Sequence, residues 1–517
     1  MKSAKLMYIA AIALLVALAI PVSLAAQEHP TKHHKYSLVD IGTFGGPNDQ
    51  FNFASPTDHL LGSNGMVTGG ADTTTVDPLC FDSPDCFVEH AFKWQKGVLN
   101  DLGALPGGTG NNSSQAFWIN DRGQTVGLST NGTVDPLTGQ LVIHAVLWSD
   151  REKIKDLGTF GGYDSYAAAI NRRGQVVGLA ANATPDPNAL FLLGQQARAF
   201  LWDEKTGMQD LGTLGTGNDA FATYVNDRGQ VAGYAYTNTT PNPANNLCGL
   251  LQFGLGVPTV DPFFWENGTM IDVGTLGGVC GYATDLNNLG QVIGVSDLAG
   301  DLTFHPFSWT KSGGMKDLGT FGGDNGQANA VNDAGEIVGK ADFPGSQLHD
   351  AFLWKDGTMT DLGNLGKTSN AHHINSSGQI VGASRINDAG ELRPFLWENG
   401  GPMVDLTTLV PPHPGVHLDG GDTWLNDRGE IVVTGTLSNG DVHAFLLTPC
   451  DDNHRDGGDC GERAEGAAAS AQSSSAFLQS PTAITATTSS TNNGNGEVGG
   501  RLGRRYPYRG FGTYQPK

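Results

Sequence analysis

Residues 305–339 read HPFSWTKSGGMKDLGTFGGDNGQANAVNDAGEIVG, and a stretch close to this recurs eight times along the chain. Four short pieces repeat in fixed order. The first is a HAFLW-like run ending at Trp94, Trp148, Trp202, Trp265, Trp309, Trp354 and Trp397, with Leu447 in the last copy. The second, D-L-G-T-L-G-G, opens at Asp40, Asp101, Asp156, Asp210, Asp272, Asp317, Asp361 and Asp405. The third sets an apolar residue before Asn120, Asn171, Asn226, Asn287, Asn332, Asn375 and Asn426, with a worn copy at Leu61-Gly62. The fourth, Q-V-V-G, ends at Gly69, Gly127, Gly178, Gly233, Gly294, Gly339, Gly382 and Gly435. A fixed repeat of this kind decides the fold before any local reading does.

Each piece reads as a strand: a short run rich in Val, Ile, Phe and Trp, bounded by Gly, Asn and Asp. I-N-D-R-G-Q-V reads as a tight hairpin, because Asn and Asp bond their own backbone and Gly takes the left-handed position. Four antiparallel strands in about 45 residues match one propeller blade. The chain opens on a lone fourth strand, Tyr36 to Thr43, and its last strand, His443 to Thr448, is a third without a fourth. Pairing the two leaves no open sheet edge. The expected fold is therefore all-β: an eight-bladed β-propeller of four-stranded antiparallel blades over 35–449, closed by the N-terminal strand pairing in the last blade. If the worn first copy forms no full sheet, the count falls to seven. Seven of the nine tryptophans hold one repeat position and read as packing anchors between blades.

The HAFLW, DLGTLGG and INDRGQVVG pieces together resemble the HAF repeat family of extracellular bacterial proteins, over roughly residues 35–448. That resemblance implies secretion and a repeat architecture. It implies no established reaction, so it assigns no catalytic residue.

Composition agrees. Gly is 73 of 517 residues, only 16% are charged and the net charge is −22. Such a balance argues against nucleic-acid binding, which needs a basic face. Residues 1–26 read as a signal peptide: Lys2 and Lys5, an apolar run from Leu6 to Ile20, then small residues up to Ala25 and Ala26. Residues 27–34 are a flexible lead, and no later segment is long and apolar enough to span a bilayer. Six cysteines, Cys80, Cys86, Cys248, Cys280, Cys450 and Cys460, fit disulfides in an exported chain. Six allow fifteen connectivities; local spacing favours Cys80–Cys86 and Cys450–Cys460, which leaves Cys248–Cys280. Residues 450–460 form a polar loop whose calcium-loop register fails at His454 and Arg463. Residues 461–517, poor in large apolar side chains and basic at the end, have the composition of disorder.

Loop length carries the functional signal. The connection from the fourth piece to the next tryptophan is long in the first four copies, Gly69–Trp94, Gly127–Trp148, Gly178–Trp202 and Gly233–Trp265. It is short in Gly294–Trp309, Gly339–Trp354 and Gly382–Trp397. These loops open on the face that also carries the D-L-G-T-L-G-G connections, so binding is expected there. Each long loop contains Thr-x-Asp-Pro. Asp-Pro favours turns; the sharper reading makes Asp77, Asp135, Asp186 and Asp261 an acidic arc for a hydroxylated ligand or a cation, with oxygen ligands that suit calcium. Repeat histidines His90, His144, His305 and His443 are spread around the ring and read as strand-end residues bonding nearby turns. His372 and His373 lie on a first strand near the presumed channel. No H-E-x-x-H, G-x-S-x-G or P-loop is present. The leading expectation is a secreted or surface-exposed, monomeric, non-enzymatic scaffold for an extracellular glycan or protein. A propeller enzyme acting on carbohydrate, which needs paired carboxylates, and a structural surface protein are the alternatives.

Overall fold

The computed structural model describes residues 33–50, 59–77, 86–108, 111–151, 153–242, 248, 257–345, 348–398 and 400–450. The signal peptide, most of the lead, Cys80, Cys460, the rest of the 450–460 loop and the 461–517 tail lie outside them. By its contacts the chain divides after His33, and the described strands all belong to the unit from His34 onward.

One repeat shows why this sequence makes strands. Gly326–Val331, Ile337–Asp342, His349–Lys355 and Thr358–Asp361 pair in that order, antiparallel throughout. The register sets Gly339 opposite Phe352. The same Gly–Phe pairing holds for Gly69 and Phe92, Gly178 and Phe200, Gly233 and Phe263, Gly294 and Phe307, and Gly382 and Phe395. All six phenylalanines are fully buried. At Gly178 a Cβ would meet the Tyr166 carbonyl at 1.9 Å and the Phe200 ring at 2.8 Å, so only glycine fits. These phenylalanines, more than the tryptophans, anchor the core: Trp265, Trp354 and Trp397 are only half-buried. Lys316 Nζ lies 4.5 Å over the Trp354 ring.

The sheets are joined laterally by a repeated side-chain hydrogen bond. Asn226 Oδ1 accepts the N–H groups of Arg228 and Gln230, each at 3.0 Å. Its Nδ2 donates to Gln230 Oε1 at 2.7 Å and to the Asn287 carbonyl of the next hairpin at 3.0 Å. Two acceptor and two donor positions are all filled, which neither Asp nor Ser can do. Asn120 reaches Asn171 in this way, Asn171 reaches Asn226, Asn287 reaches Asn332, Asn332 reaches Asn375 and Asn375 reaches Asn426. Asn426 in turn donates to the carbonyl of Gly62, the worn first copy, at 3.0 Å. Gly62 has no side chain to pass the chain on. Instead Ser63 N–H and Oγ–H donate to Asp121.

A second lateral contact lies further along each first strand. Ala91, Ala145 and Ala351 N–H donate to Ser114, Ser165 and Ser369 Oγ of the following repeat, and Ala444 N–H donates to Asp49. Where the motif carries Pro262, Pro306 or Pro394 there is no N–H to give. The facing residue is then glycine: Gly281, 3.3 Å from Pro262 Cδ if given a Cβ, Gly326, 2.9 Å from Pro306 Cδ, and Gly420, pressed on Arg393. Ala199 breaks the rule and faces Ala220. There Asp219 takes the N–H groups of Ala197 and Leu190, as Asp164 takes Ile143 N–H in the preceding pair. Burial pushes the Asp219 carboxyl up to about 7, against those two donors.

The strands form six sheets of four and one of eight. The eight-stranded sheet is two four-stranded repeats, Ala220–Asp272 and Gly277–Asp317, joined by a single parallel bridge between Val260 and Cys280. The Cys248–Cys280 disulfide, Cα to Cα 5.5 Å, lies at that joint, as elimination anticipated. Cys86 and Cys450 are also disulfide-bonded, and their expected partners fall outside the described residues. The N-terminal strand Tyr36–Asp40 pairs antiparallel with Val442–Pro449, with Val39 opposite Leu446 and Asp40 opposite Phe445. The fold is thus all-β, built of four-stranded antiparallel sheets in a propeller-like arrangement. No helix among the described residues is long and apolar enough to cross a membrane.

The alternation of Ala–Ser and Pro–Gly contacts makes a reciprocal prediction. Ala351→Pro alone should cost about 2–4 kcal/mol, because it removes one hydrogen bond and drives the ring into Ser369. Ala351→Pro with Ser369→Gly should recover more than half of that in denaturant unfolding. Equal loss in the single and double variants would show that the two positions do not read each other.

Candidate functional site

The D-L-G turn builds the rim of the loop face. In each of seven copies the Asp side chain caps its own turn, as Asp317 does by accepting Gly319 N–H at 2.7 Å, while the following residue returns to the core. The free side of that Asp meets the repeat histidine. His90 lies 2.9 Å from Asp101, His144 2.7 Å from Asp156, His305 2.9 Å from Asp317 and His443 2.9 Å from Asp40. Arg198 replaces His and holds Asp210 at 3.0 Å. This is the strand-end role expected of these histidines. For His144 and His443 burial disfavours the charge, but the carboxylate partner outweighs it and the pKa is raised. Burial likewise opposes ionisation of Asp101, Asp156 and Asp317, yet the histidine and the turn N–H hold them below the usual carboxylate range.

Asp261 belongs to this rim. It occupies the histidine position of its repeat, so two carboxyls, Asp261 and Asp272, face each other. Burial first, then the Asp272 charge and hydrogen bond, push Asp261 up to about 7. At the equivalent Asp350 burial raises the pKa to about 6, and Asn364 Nδ2 donates to both oxygens at 2.9 Å.

The other three members of the Thr-x-Asp-Pro set are buried within their own loops. Asp135 accepts Leu137 N–H at 2.8 Å and Thr138 Oγ–H at 2.7 Å. Asp186 accepts Asn188 N–H at 2.7 Å and the Asn218 side-chain amide. Asp77 is buried, and its N–H donates to the Cys86 carbonyl at 2.7 Å. The four lie on separate repeats. Among the described residues no three His, Cys, Asp or Glu side chains gather as a metal-ligand set.

What distinguishes the first repeats is protrusion. Their second strands, Val67–Val76, Thr125–Val134 and Val176–Pro185, are longer than the later Val231–Tyr236, Ile337–Asp342 and Ile380–Arg385. Beyond a register shift each pairs again near its tip: Val76 with Phe87, Val134 with Leu141, Pro185 with Gln195. Apolar side chains stand exposed there, Val76 at 62%, Val134 at 58% and Leu137 at 51%. Sequence reading found these loops by length, but not that they are β-ribbons, the first two with exposed apolar tips.

The first strands converge at the inner edges of the sheets. Trp118 stacks on His59 at 5.1 Å and meets Tyr224, two repeats further on, edge-to-face at 6.3 Å. His373 and Trp424 approach at 6.5 Å, and His372 Nδ1 shares a hydrogen bond with Thr423 Oγ at 3.2 Å. Burial, with the Lys340 charge, lowers the His372 pKa to about 4, so it is neutral at pH 7. Aromatic packing, rather than a convergent acid–base pair, is what these side chains make.

The arrangement defines a class: an all-β, propeller-like repeat protein with a ribbon-bearing face and a hairpin face. No protein-family model and no curated protein matches the chain. Among solved structures it is similar to TolB from Acinetobacter baumannii, 10% identical over 63% of this chain and 80% of that one, TM-score 0.30. A protein of unknown function from Dyadobacter fermentans is 10% identical over 65% and 94%, TM-score 0.30. Hydrazine synthase from Kuenenia stuttgartiensis is 11% identical over 62% and 43%, TM-score 0.31. Likeness at this level says nothing about ligand or activity.

The rim pairs give a pH signature with a definite sign. His443 has a raised pKa, so its contribution to stability is complete below about 6.5, the free histidine value, and fades as pH rises through the folded value. The lowered Asp101, Asp156 and Asp317 contribute above the free carboxylate value and lose their contribution as pH falls through the folded one. His443→Gln should therefore lower the thermal midpoint most near pH 5–6, by about 1 °C, and least near pH 8.5. A deficit constant from pH 5 to 8.5 would remove the pair from the account.

Proposed function

We propose that the chain is an exported, non-enzymatic binding protein of the HAF repeat kind, monomeric, whose protruding ribbons engage a glycan or protein outside the cell. The observation that carries this reading is the exposure of Val76 at the tip of the first ribbon and of Val134 and Leu137 at the tip of the second, ribbons longer than the second and third strands of the later repeats among the described residues. Apolar groups held in water on a rigid support are the usual mark of a partner surface. The Cys248–Cys280 disulfide is consistent with an oxidising compartment. We further read the architecture as eight blades in a closed ring. Three contacts between the two ends of the chain support it: Tyr36–Asp40 with Val442–Pro449, Asp49 with Ala444, and Asn426 with Gly62.

The reading is tested with the purified chain on arrays of glycans and of envelope proteins. Binding to at least one probe is expected, reduced at least about tenfold by Val134→Ser with Leu137→Ser, which removes roughly 2–3 kcal/mol of apolar contact, while the thermal midpoint stays put. Turnover of a bound glycan, or binding indifferent to the ribbon tips, would contradict it.

A further inference from the structure

The hairpin face carries a second, chemically opposite feature. Between the second and third repeats lies a cleft of about 770 Å3, walled by the Asn120–Gln124 and Asn171–Gln175 hairpins and by the turns that follow Trp148 and Trp202. In a chain of net charge −22 its walls are cationic, with Arg122, Arg151, Arg173, Lys155 and Lys205 against Asp150, Asp203 and Glu204. Two of those acids are already engaged. Asp150 holds Lys93 at 3.0 Å, and Asp203 caps its own turn by accepting the N–H groups of Lys205 and Thr206. Among the described residues, no carboxylate lies within ion-pair distance of Arg122, Arg173 or Lys205.

A second observation comes from the glutamines that pair with the lateral asparagines in their own hairpins. In the three other repeats that carry Gln here, its outer amide is used inside the protein. Gln230 Nε2 donates to Glu266 at 2.7 Å, Gln291 to Ser308 at 2.9 Å and Gln379 to Glu398 at 2.8 Å. In the two cleft repeats Gln124 and Gln175 give only their oxygens, to Asn120 at 3.0 Å and Asn171 at 2.8 Å. Both line the cleft, and neither Nε2 has a protein partner among the described residues. Among the repeats with Gln at this position, the two that flank the cleft thus leave fixed neutral donors beside guanidinium forks.

We infer that this cleft binds an anionic, hydroxylated oligosaccharide. Guanidinium groups take carboxylate or sulfate oxygens in pairs. Amide donors held by Asn120 and Asn171 suit hydroxyl oxygens and cost little entropy on binding. The floor, Leu147 and Trp202, is almost wholly covered, with Lys155 Nζ 5.4 Å over the Trp202 ring, so recognition falls to charged and amide donors spread over two hairpins, which a bare inorganic anion cannot span. A long nucleic-acid strand, with its dense charge, would meet the surplus of acids elsewhere on the chain, whereas a short acidic glycan need not. This site lies on the face opposite the ribbons, so it stands or falls independently of the ribbon reading.

The test is titration of the purified full chain with a galacturonic acid tetramer, a sulfated glycosaminoglycan tetramer, cellotetraose and a thymidine oligonucleotide. One or both acidic tetramers should bind, more weakly as salt rises from about 0.05 to about 0.5 M. Arg173→Gln should weaken binding about tenfold, the loss of one charge-assisted contact. Gln175→Glu is the decisive variant. It keeps a partner for Asn171, as Glu336 does for Asn332 at 2.7 Å, but turns a donor into a negative charge; it should abolish binding without changing the melt. Val134→Ser should leave this binding intact. No binding of either acidic tetramer, equal binding of cellotetraose, preference for the oligonucleotide, or full affinity in Arg173→Gln and Gln175→Glu would overturn the inference.

Discussion

The asparagine after each first strand is the contact on which the rest depends. A four-stranded sheet of this size cannot bury both its faces alone. It needs neighbours, at a fixed angle and a fixed height. Asn fixes the height, because its oxygen closes its own hairpin and its nitrogen reaches the main-chain carbonyl of the next. Leaving that amide buried and unpaired would cost roughly 1–3 kcal/mol at each of the seven repeats that carry it, so a register slip between sheets is penalised at every joint but the one that follows Gly62. The Ala–Ser and Pro–Gly contacts fix the angle, because they decide how closely a third strand approaches the following first strand.

Tying the sheets together at the hairpin turns and along the first strands leaves the opposite ends of the second and third strands unconstrained. That is where the first repeats grow ribbons, at little cost to the joints beneath them. The division also separates charge. Carboxylates of the D-L-G turns crowd the ribbon face, each balanced by His, Arg or a turn N–H, and the two places where Asp replaces His hold a carboxyl pKa near 6 or 7. The hairpin face carries the arginines of N-D-R-G and N-R-R-G turns, which gives one protein two surfaces of different chemistry.

Much of this was legible in the sequence. Strand periods, hairpin glycines, the pairing of the first strand with the last and the turn-bonding histidines all rest on local residue chemistry. The asparagine contact was not legible, because its acceptor is a backbone carbonyl, which every residue has. The Ala–Ser and Pro–Gly match was written in the chain but linked residues about twenty apart, and only a comparison of adjacent repeats would have shown it. Thr-x-Asp-Pro was read as a ligand arc and as a turn signal. At Asp135 the carboxylate accepts from its own turn, at Asp186 from its turn and from Asn218, and Asp261 faces Asp272. The cleft escaped entirely, since its two walls are hairpins some fifty residues apart, and what marks it is a pair of glutamines lacking the partner found elsewhere.

Amide hydrogen exchange on Asn287→Ala tests the central claim most directly. Asn287 draws the Asn226 amide to its own carbonyl and gives its own amide to Asn332, so the account predicts faster exchange in the first and second strands of both the Gly277–Asp317 and Gly326–Asp361 repeats, together with a single unfolding transition shifted to lower denaturant. Faster exchange confined to the Asn287–Gln291 turn, with the neighbouring repeat and the midpoint unchanged, would mean that the lateral asparagine bonds decorate the structure and do not hold it.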